Sequence, residues 1–220
     1  MADKGFKRKL AAILSADVEG YSRLMERDEL ETIRTLTAYR SAVSDLVQQY
    51  RGHIVDSPGD NMLAEFPSVV DSVNCAVEIQ RVLAKRNDEL PDERRMQFRI
   101  GVNLGDVIEE ECRIYGDGVN IAARIERMAE PGGIAVSGSA YDQISNKLGL
   151  EFENLGKHNV KNISTPIRIY RVIFETDLSD RLASEQHSDL PLPDKPSIAV
   201  LPFINMSGDP EQEKLRVASQ

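Results

Sequence analysis

Two carboxylates bracket a Pro-Gly turn in VDSPGDNMLAEF, residues 55–66: Asp56 stands before it and Asp60 after it. Pro fixes φ and Gly supplies freedom, so the segment reads as a hairpin tip between two short strands, HIV and MLAEF. A carboxylate at such a tip serves solubility or holds a metal ion. A further carboxylate, Asp17, ends an apolar run in LAAILSADVEGYS. A strand end followed by a glycine turn and a helix start lets the backbone around Gly20 and Tyr21 face a phosphate, while Asp17 holds a divalent cation beside it. An ordinary helix cap produces the same pattern. The last constellation is YGDGVNIAAR, where Asn120 and Arg124 are spaced to share one helical face. Small Ala122 and Ala123 let that helix sit close to a neighbour. An amide and a guanidinium suit the orientation of a sugar and the stabilisation of phosphoryl charge, although a capped helix with a surface arginine reads the same way. If the hairpin lies beside the first strand, Asp60 approaches Asp17. Two carboxylates plus substrate phosphates suit Mg²⁺, and two such ions can clamp a nucleophile and a leaving group.

The elements that must position these residues follow from periodicity. Lys9–Val18 is apolar throughout, as a buried central strand is. EGYSRLMERDELETIRTLTAYRSAVSDLVQQYRG carries Leu30, Ile33, Leu36, Tyr39, Val43, Leu46 and Val47 at helical spacing and predicts one long helix stopped by Gly52. Residues 68–90 repeat the helical period, capped by Ser68 or Asp71. Residues 96–108 alternate like a strand, with Gly101 and Gly105 marking a bulge or a close backbone approach. A turn at 109–112 leads to a helix over 119–129, closed by Pro131-Gly132-Gly133. A strand (IAVSG), a short helix, a strand (LEFENLG) and a final strand–turn–strand follow. The order βαββαβ plus further αβ elements predicts an α+β sandwich, one sheet covered by helices.

The chain has 220 residues, a net charge of -9, 41% hydrophobic and only 5% aromatic residues, and no Trp. The core is therefore aliphatic. The acidic balance excludes a nucleic-acid scaffold, which calls for basic faces, but not a small anionic substrate held by a metal. Cys75 and Cys112 form no CxxC pair and read as free thiols of a reducing compartment. His53, His158 and His187 are scattered and form no metal set. The start, MADKGFKRKLAAILSAD, imitates a signal peptide, but its apolar run is short and carboxylates follow at once, so it reads as the first core strand. No stretch approaches the ~20 apolar residues of a membrane helix, and a cytoplasmic location is expected.

Together, LSADVEGYS, DSPGDNMLAEF, FRIGVNLGDVI, YGDGVNIAARIE and NVKNISTPIRIYRV resemble, in order, the class III adenylate/guanylate cyclase catalytic domain of bacteria, over roughly residues 8–174. The resemblance implies a ferredoxin-like (palm-like) core and conversion of a nucleoside triphosphate, ATP or GTP, to a 3′,5′-cyclic monophosphate and pyrophosphate. It implies two Mg²⁺ or Mn²⁺ ions per site, held by Asp17, Asp60 and the Val18 backbone carbonyl. Asn120 matches the ribose-orienting residue, Arg124 the transition-state stabiliser and Lys161 the triphosphate lysine. One metal would activate the 3′-hydroxyl, while Arg124, Lys161 and the second metal neutralise the phosphates. It also implies a head-to-tail homodimer, in which one chain supplies the metal residues and the other Asn120 and Arg124.

The chain departs from the adenylate pattern at the base-reading pair. The usual Lys is Asp56 and the usual Asp is Arg113, so both charges are reversed. Three readings stay open: Asp56 and Arg113 read guanine; the swapped pair reads adenine in a shifted register; or the two pair across the dimer and leave the base weakly read. A site built to bond a particular group discriminates strongly against analogues lacking it.

Adenylate cyclase is the leading expectation, guanylate cyclase and a catalytically weak nucleotide-binding module the alternatives. A diguanylate cyclase is set aside because GG(D/E)EF is absent. The catalytic domain is expected over residues 1–175 and a linker over 176–196. SIAVLPFINMSGDPEQE resembles the opening of a TolB-like domain, so 197–220 reads as its start or as a docking tail.

Overall fold

A computed structural model describes residues 7–110, 113–159 and 165–174. The expected linker and the expected TolB-like segment fall outside the described residues, as do Lys161, Cys112 and His187. The chain runs β1 (Lys7–Val18), α1 (Tyr21–Arg27), α2 (Glu29–Gln49), β2 (His53–Asp56), β3 (Met62–Phe66), α3 (Val69–Asn87), β4 (Phe98–Glu110), β5 (Arg113–Tyr115), α4 (Asp117–Glu126), β6 (Ile134–Ser137), α5 (Gly138–Ile144), β7 (Glu151–His158) and β8 (Ile167–Ile173). Among the described residues these strands form one sheet in the order β2-β3-β1-β4-β6-β8-β7, with β5 paired to the end of β4. β1 is antiparallel to both β3 and β4, which completes the βαββαβ core. β6 then joins β4 in parallel, and β8 and β7 follow antiparallel. The α+β, palm-like architecture expected from the sequence is the one observed.

The side-chain alternation of β1 explains why this strand is central. Ala12, Leu14, Ala16 and Val18 enter the main core with Leu36, Tyr39, Val43 and Val47 of α2 and Val73, Ala76 and Leu83 of α3. Ala11 and Ile13 point the other way, into a second cluster with Ala122 of α4. Helices therefore occupy both faces of the sheet, with α4 opposite α2 and α3. Ser15 and Asp17 share the parity of Ile13 and lie on the α4 side.

The seating of α4 is unusually close. A Cβ built on Gly101 of β4 would lie 2.3 Å from the Glu126 nitrogen and 2.4 Å from the Ala122 oxygen. One on Gly118 would lie 2.9 Å from the Asp106 oxygen. Glycines at both ends thus let the helix rest on strand backbone.

Two predicted boundaries are corrected. The long first helix is two helices, because Asp28 takes an extended conformation (φ -153°) and its carboxylate accepts a 3.1 Å bond from the Glu31 N–H, starting α2 afresh. The helix predicted over 119–129 is α4, beginning at Asp117 and ending at Glu126, and the predicted 109–112 turn is shorter because β4 continues to Glu110, which pairs with Arg113. Ser68 stands at the α3 N-cap without a side-chain cap bond. No helix among the described residues is long and apolar enough to cross a membrane.

Candidate active site

Sheet register brings the first two constellations together. The β1–β3 pairing runs to Ala16↔Met62, so the 57–61 turn leaves the sheet beside Asp17. Burial, and next the Asp17 charge, push the Asp60 carboxyl above its ordinary range. Crowded carboxylates of this kind are what a bound cation relieves, and an all-oxygen pair suits Mg²⁺ or Mn²⁺, whose remaining ligands come from phosphates and water. No group of three or more His, Cys, Asp or Glu placed for a metal occurs among the described residues. Val18, the last residue of β1, pairs with Phe98.

Arg99 is a neighbour of the acid pair that the sequence reading missed. It stands on β4 directly opposite Asp17. Its guanidinium lies 3.3 Å from the Asp17 carboxylate and 2.7 Å from that of Glu19. The legible signal was a cation inside the otherwise apolar alternation of FRIGV.

The turn carrying Asp60 is held from two sides. Arg40 of α2 donates to the carbonyl and hydroxyl of Ser57, and at 3.4 Å to the Asn61 carbonyl. On the far side, Asn61 Nδ2 donates to Glu126 Oε2 at 3.2 Å and Ser15 Oγ donates to the same oxygen at 2.6 Å. Glu126 is only 2% exposed. Burial drives its carboxyl up to about 7; the Ser15 bond opposes this and the Asp17 charge adds to it. Its signal was also present in the sequence, as a carboxylate continuing the buried helical stripe of Gly118, Ala122 and Ile125.

Gly20 caps α1 in the left-handed region (φ 66°), where Gly is the least strained residue, and no side chain caps this end. The Arg23 and Leu24 N–H groups donate to the Gly20 carbonyl at 3.0 and 3.2 Å, so the N–H groups of Tyr21 and Ser22 precede the first bonds of the helix. The Tyr21 side chain packs partly on the main core.

Asn120 and Arg124 lie on the outward side of α4, the former exposed and the latter half-buried. Arg124 and Glu126 are two residues apart, roughly 200° around the helix. With Glu126 turned to the sheet, Arg124 faces away from Asp17 of its own chain. Asp56 and Arg113 are exposed on β2 and β5. Their neighbours Val55 and Ile114 share one apolar cluster, so both base-reading candidates belong to the same region of one chain. A cleft of about 520 Å³ opens beside the first turn of α4, lined among others by Asp106, Asp117, Ile121, Lys157 and Arg168. Neither Asp17 nor Asp60 lines it, and we place the chemistry at the acid pair because that is where the carboxylates converge.

The family model described as the adenylate and guanylate cyclase catalytic domain matches residues 7–173. A Rhizobium meliloti protein carrying the name "Putative adenylate cyclase 3" is 45% identical over 215 residues, 96% of this chain and 36% of the relative. The chain thus spans about a third of that relative's length. A crystal structure titled adenylate/guanylate cyclase/hydrolase from Silicibacter pomeroyi is 41% identical, with TM-score 0.73, covering 78% of this chain and 100% of that one. The structure of the guanylyl cyclase Cya2 is 25% identical, with TM-score 0.67, covering 76% and 93%.

Proposed function

This chain belongs to the adenylate and guanylate cyclase catalytic domain family, and on that premise we propose that it converts ATP to 3′,5′-cyclic AMP and pyrophosphate at sites shared between two head-to-tail copies. The observation that carries the reading is the convergence of Asp17 and Asp60 at the end of the central strand while Arg124 faces away from them. One chain therefore offers two half-sites, and a second copy supplies the complement of each.

Asp17 and Asp60, with the Val18 carbonyl, hold Mg²⁺ or Mn²⁺ against the triphosphate. When bound, the ions lower the pKa of the ribose 3′-hydroxyl and neutralise phosphate charge. Arg99 offers a cation beside the same carboxylates, and the Gly20–Tyr21 backbone faces the phosphates. From the partner, Asn120 orients the ribose so that its 3′-oxygen lines up with the α-phosphorus. Arg124 stabilises charge on the phosphoryl group and the pyrophosphate leaving group, and Lys161 contacts the triphosphate. Asp56 and Arg113 contact the base. ATP is the first reading, in keeping with the name "Putative adenylate cyclase 3" of the Rhizobium meliloti relative; GTP is the second reading, favoured by the acidic Asp56. We also propose that residues 197–220 begin a further, TolB-like domain.

The test is product analysis. The purified chain is incubated with Mn²⁺ and either ATP or GTP, and cyclic AMP and cyclic GMP are quantified by mass spectrometry, with Asp17→Ala and Arg124→Ala alongside. Cyclic AMP lost in both variants supports the reading. A confirmed dimer that makes neither product overturns it.

A further inference from the structure

Glu126 is a carboxylate buried to 2% exposure, two residues beyond Arg124, on the helix face opposite the one the reaction uses. A buried carboxylate without partners is costly; this one accepts from Ser15 Oγ at 2.6 Å and from Asn61 Nδ2 at 3.2 Å. Those donors are not arbitrary. Ser15 precedes Asp17 by two residues on β1, and Asn61 follows Asp60 in the turn. Asn61 Nδ2 also reaches Ser15 Oγ at 3.4 Å. The three side chains form a closed triangle between strand end, turn and helix.

The helix corner of this triangle cannot drift. The Glu126 backbone lies against Gly101, where even a methyl group would stand 2.3 Å from its nitrogen. On the outer side of the turn, Arg40 binds Ser57 and the Asn61 carbonyl. The turn is thereby held between α2 and α4.

We infer that Glu126 is a positioning residue for the Asp60-bearing turn: from its fixed seat on α4 it holds that turn against the end of β1, so that the metal-binding half of one site is built on the helix that lends its opposite face to the other site. The inference rests on the functional reading above. It adds that the two sites of a dimer share a structural element through Glu126, and that its removal damages the half-site contributing Asp17 and Asp60 rather than the one contributing Arg124.

The experiment uses heterodimers with a single competent site, made from an Asp17→Ala chain, which donates Arg124, and an Arg124→Ala chain, which donates the acid pair. Glu126→Ala is placed on one chain or the other. On the acid-donating chain it should raise the Mn²⁺ concentration for half-maximal rate roughly 10–100-fold, the usual range for residues that orient metal ligands, and Glu126→Gln, which keeps an acceptor oxygen for Ser15 and Asn61, should recover most of it. On the Arg124-donating chain it should change that value little. Equal effects on both chains, or an effect only on the Arg124-donating chain, overturn the inference. Nucleotide-free Mn²⁺ binding, followed by electron paramagnetic resonance on homodimers, gives a second readout. Weaker binding in Glu126→Ala, or in Asn61→Ala should the former not fold, supports the inference; unchanged binding overturns it. Wild-type Mn²⁺ affinity in Asp17→Ala, or no activity in the parent heterodimer, would instead overturn the underlying metal or head-to-tail reading, so the two failures are distinguishable.

Discussion

Arg99 and Asp17 face each other across the β1–β4 pairing, with guanidinium and carboxylate 3.3 Å apart. The same guanidinium holds Glu19 at 2.7 Å, so it bridges the strand end and the turn that follows. A cation placed there lies beside the triphosphate in the proposed site. Arg99→Ala should lower kcat/KM by roughly 10–100-fold, the equivalent of one charge-assisted hydrogen bond. Arg99→Lys should restore part of it, since charge survives but the forked geometry does not. Steady-state kinetics at saturating Mn²⁺ check this, and full activity in the alanine variant would remove Arg99 from the site.

Arg124 faces away from the acid pair of its own chain, which has a consequence for mixtures. Asp17→Ala and Arg124→Ala homodimers should each be inactive. Random association of equal amounts gives half heterodimers, each with one intact site, so about a quarter of wild-type activity should return. Cyclic nucleotide formation before and after mixing measures it. A mixture as inactive as its parents would mean that each site is built within one chain.

Asp56 and Arg113 border the same apolar cluster from β2 and β5. If they read the base together, reversing both charges in Asp56→Lys/Arg113→Asp should raise the ATP-to-GTP ratio of kcat/KM, because a site that bonds specific base edges penalises the wrong base. Either single change should lower turnover of both nucleotides. An unchanged ratio in the double variant would place base reading elsewhere.

How much of this was legible in the sequence depended on whether the signal was local. The strand period of 96–108 and the turn chemistry of Pro58-Gly59 report directly on backbone: the strand is β4, displaced by two residues to Phe98–Glu110, and the turn joins β2 to β3. Asp17, Asp60, Asn120 and Arg124 were singled out from residue type and spacing. Asp28 was misread because the apolar period runs unbroken through it, while its capping bond to Glu31 depends on one side chain. Arg99 and Glu126 were passed over for a different reason. Arg99 is a half-buried cation between the core residues Phe98 and Ile100, and Glu126 is a carboxylate on a buried stripe; the meaning of each comes from partners 82 and 111 residues away, Asp17 and Ser15, which only the sheet register and the seat of α4 bring near.

The seat of α4 predicts opposite fates for two glycines. Gly101→Ala forces a methyl against helix backbone that cannot yield, so it should destabilise the fold by about 3 kcal/mol and displace the helix bearing Asn120, Arg124 and Glu126. Gly59→Ala meets nothing within 4 Å and costs only the strain of its positive φ, about 1 kcal/mol. Chemical denaturation of the two variants tests the ranking, and equal midpoints would contradict the close packing of α4 on β4.

Glu126 gives the fold a pH dependence whose sign is fixed by burial. Its carboxyl titrates at about 7 in the folded chain against an ordinary 4.5, so folding favours the protonated form. The stability this contributes is fully present below about pH 4.5 and is lost as pH rises through about 7. Over that window the wild type should lose about 3 kcal/mol relative to Glu126→Gln, which keeps the shape and one acceptor but cannot ionise. Urea denaturation of both proteins in a metal chelator, at pH 5 and pH 8, measures the difference. The gap between them should widen in favour of the glutamine variant at the higher pH; a gap independent of pH would mean that Glu126 is already ionised at pH 5 and that its two hydrogen-bond donors outweigh its burial.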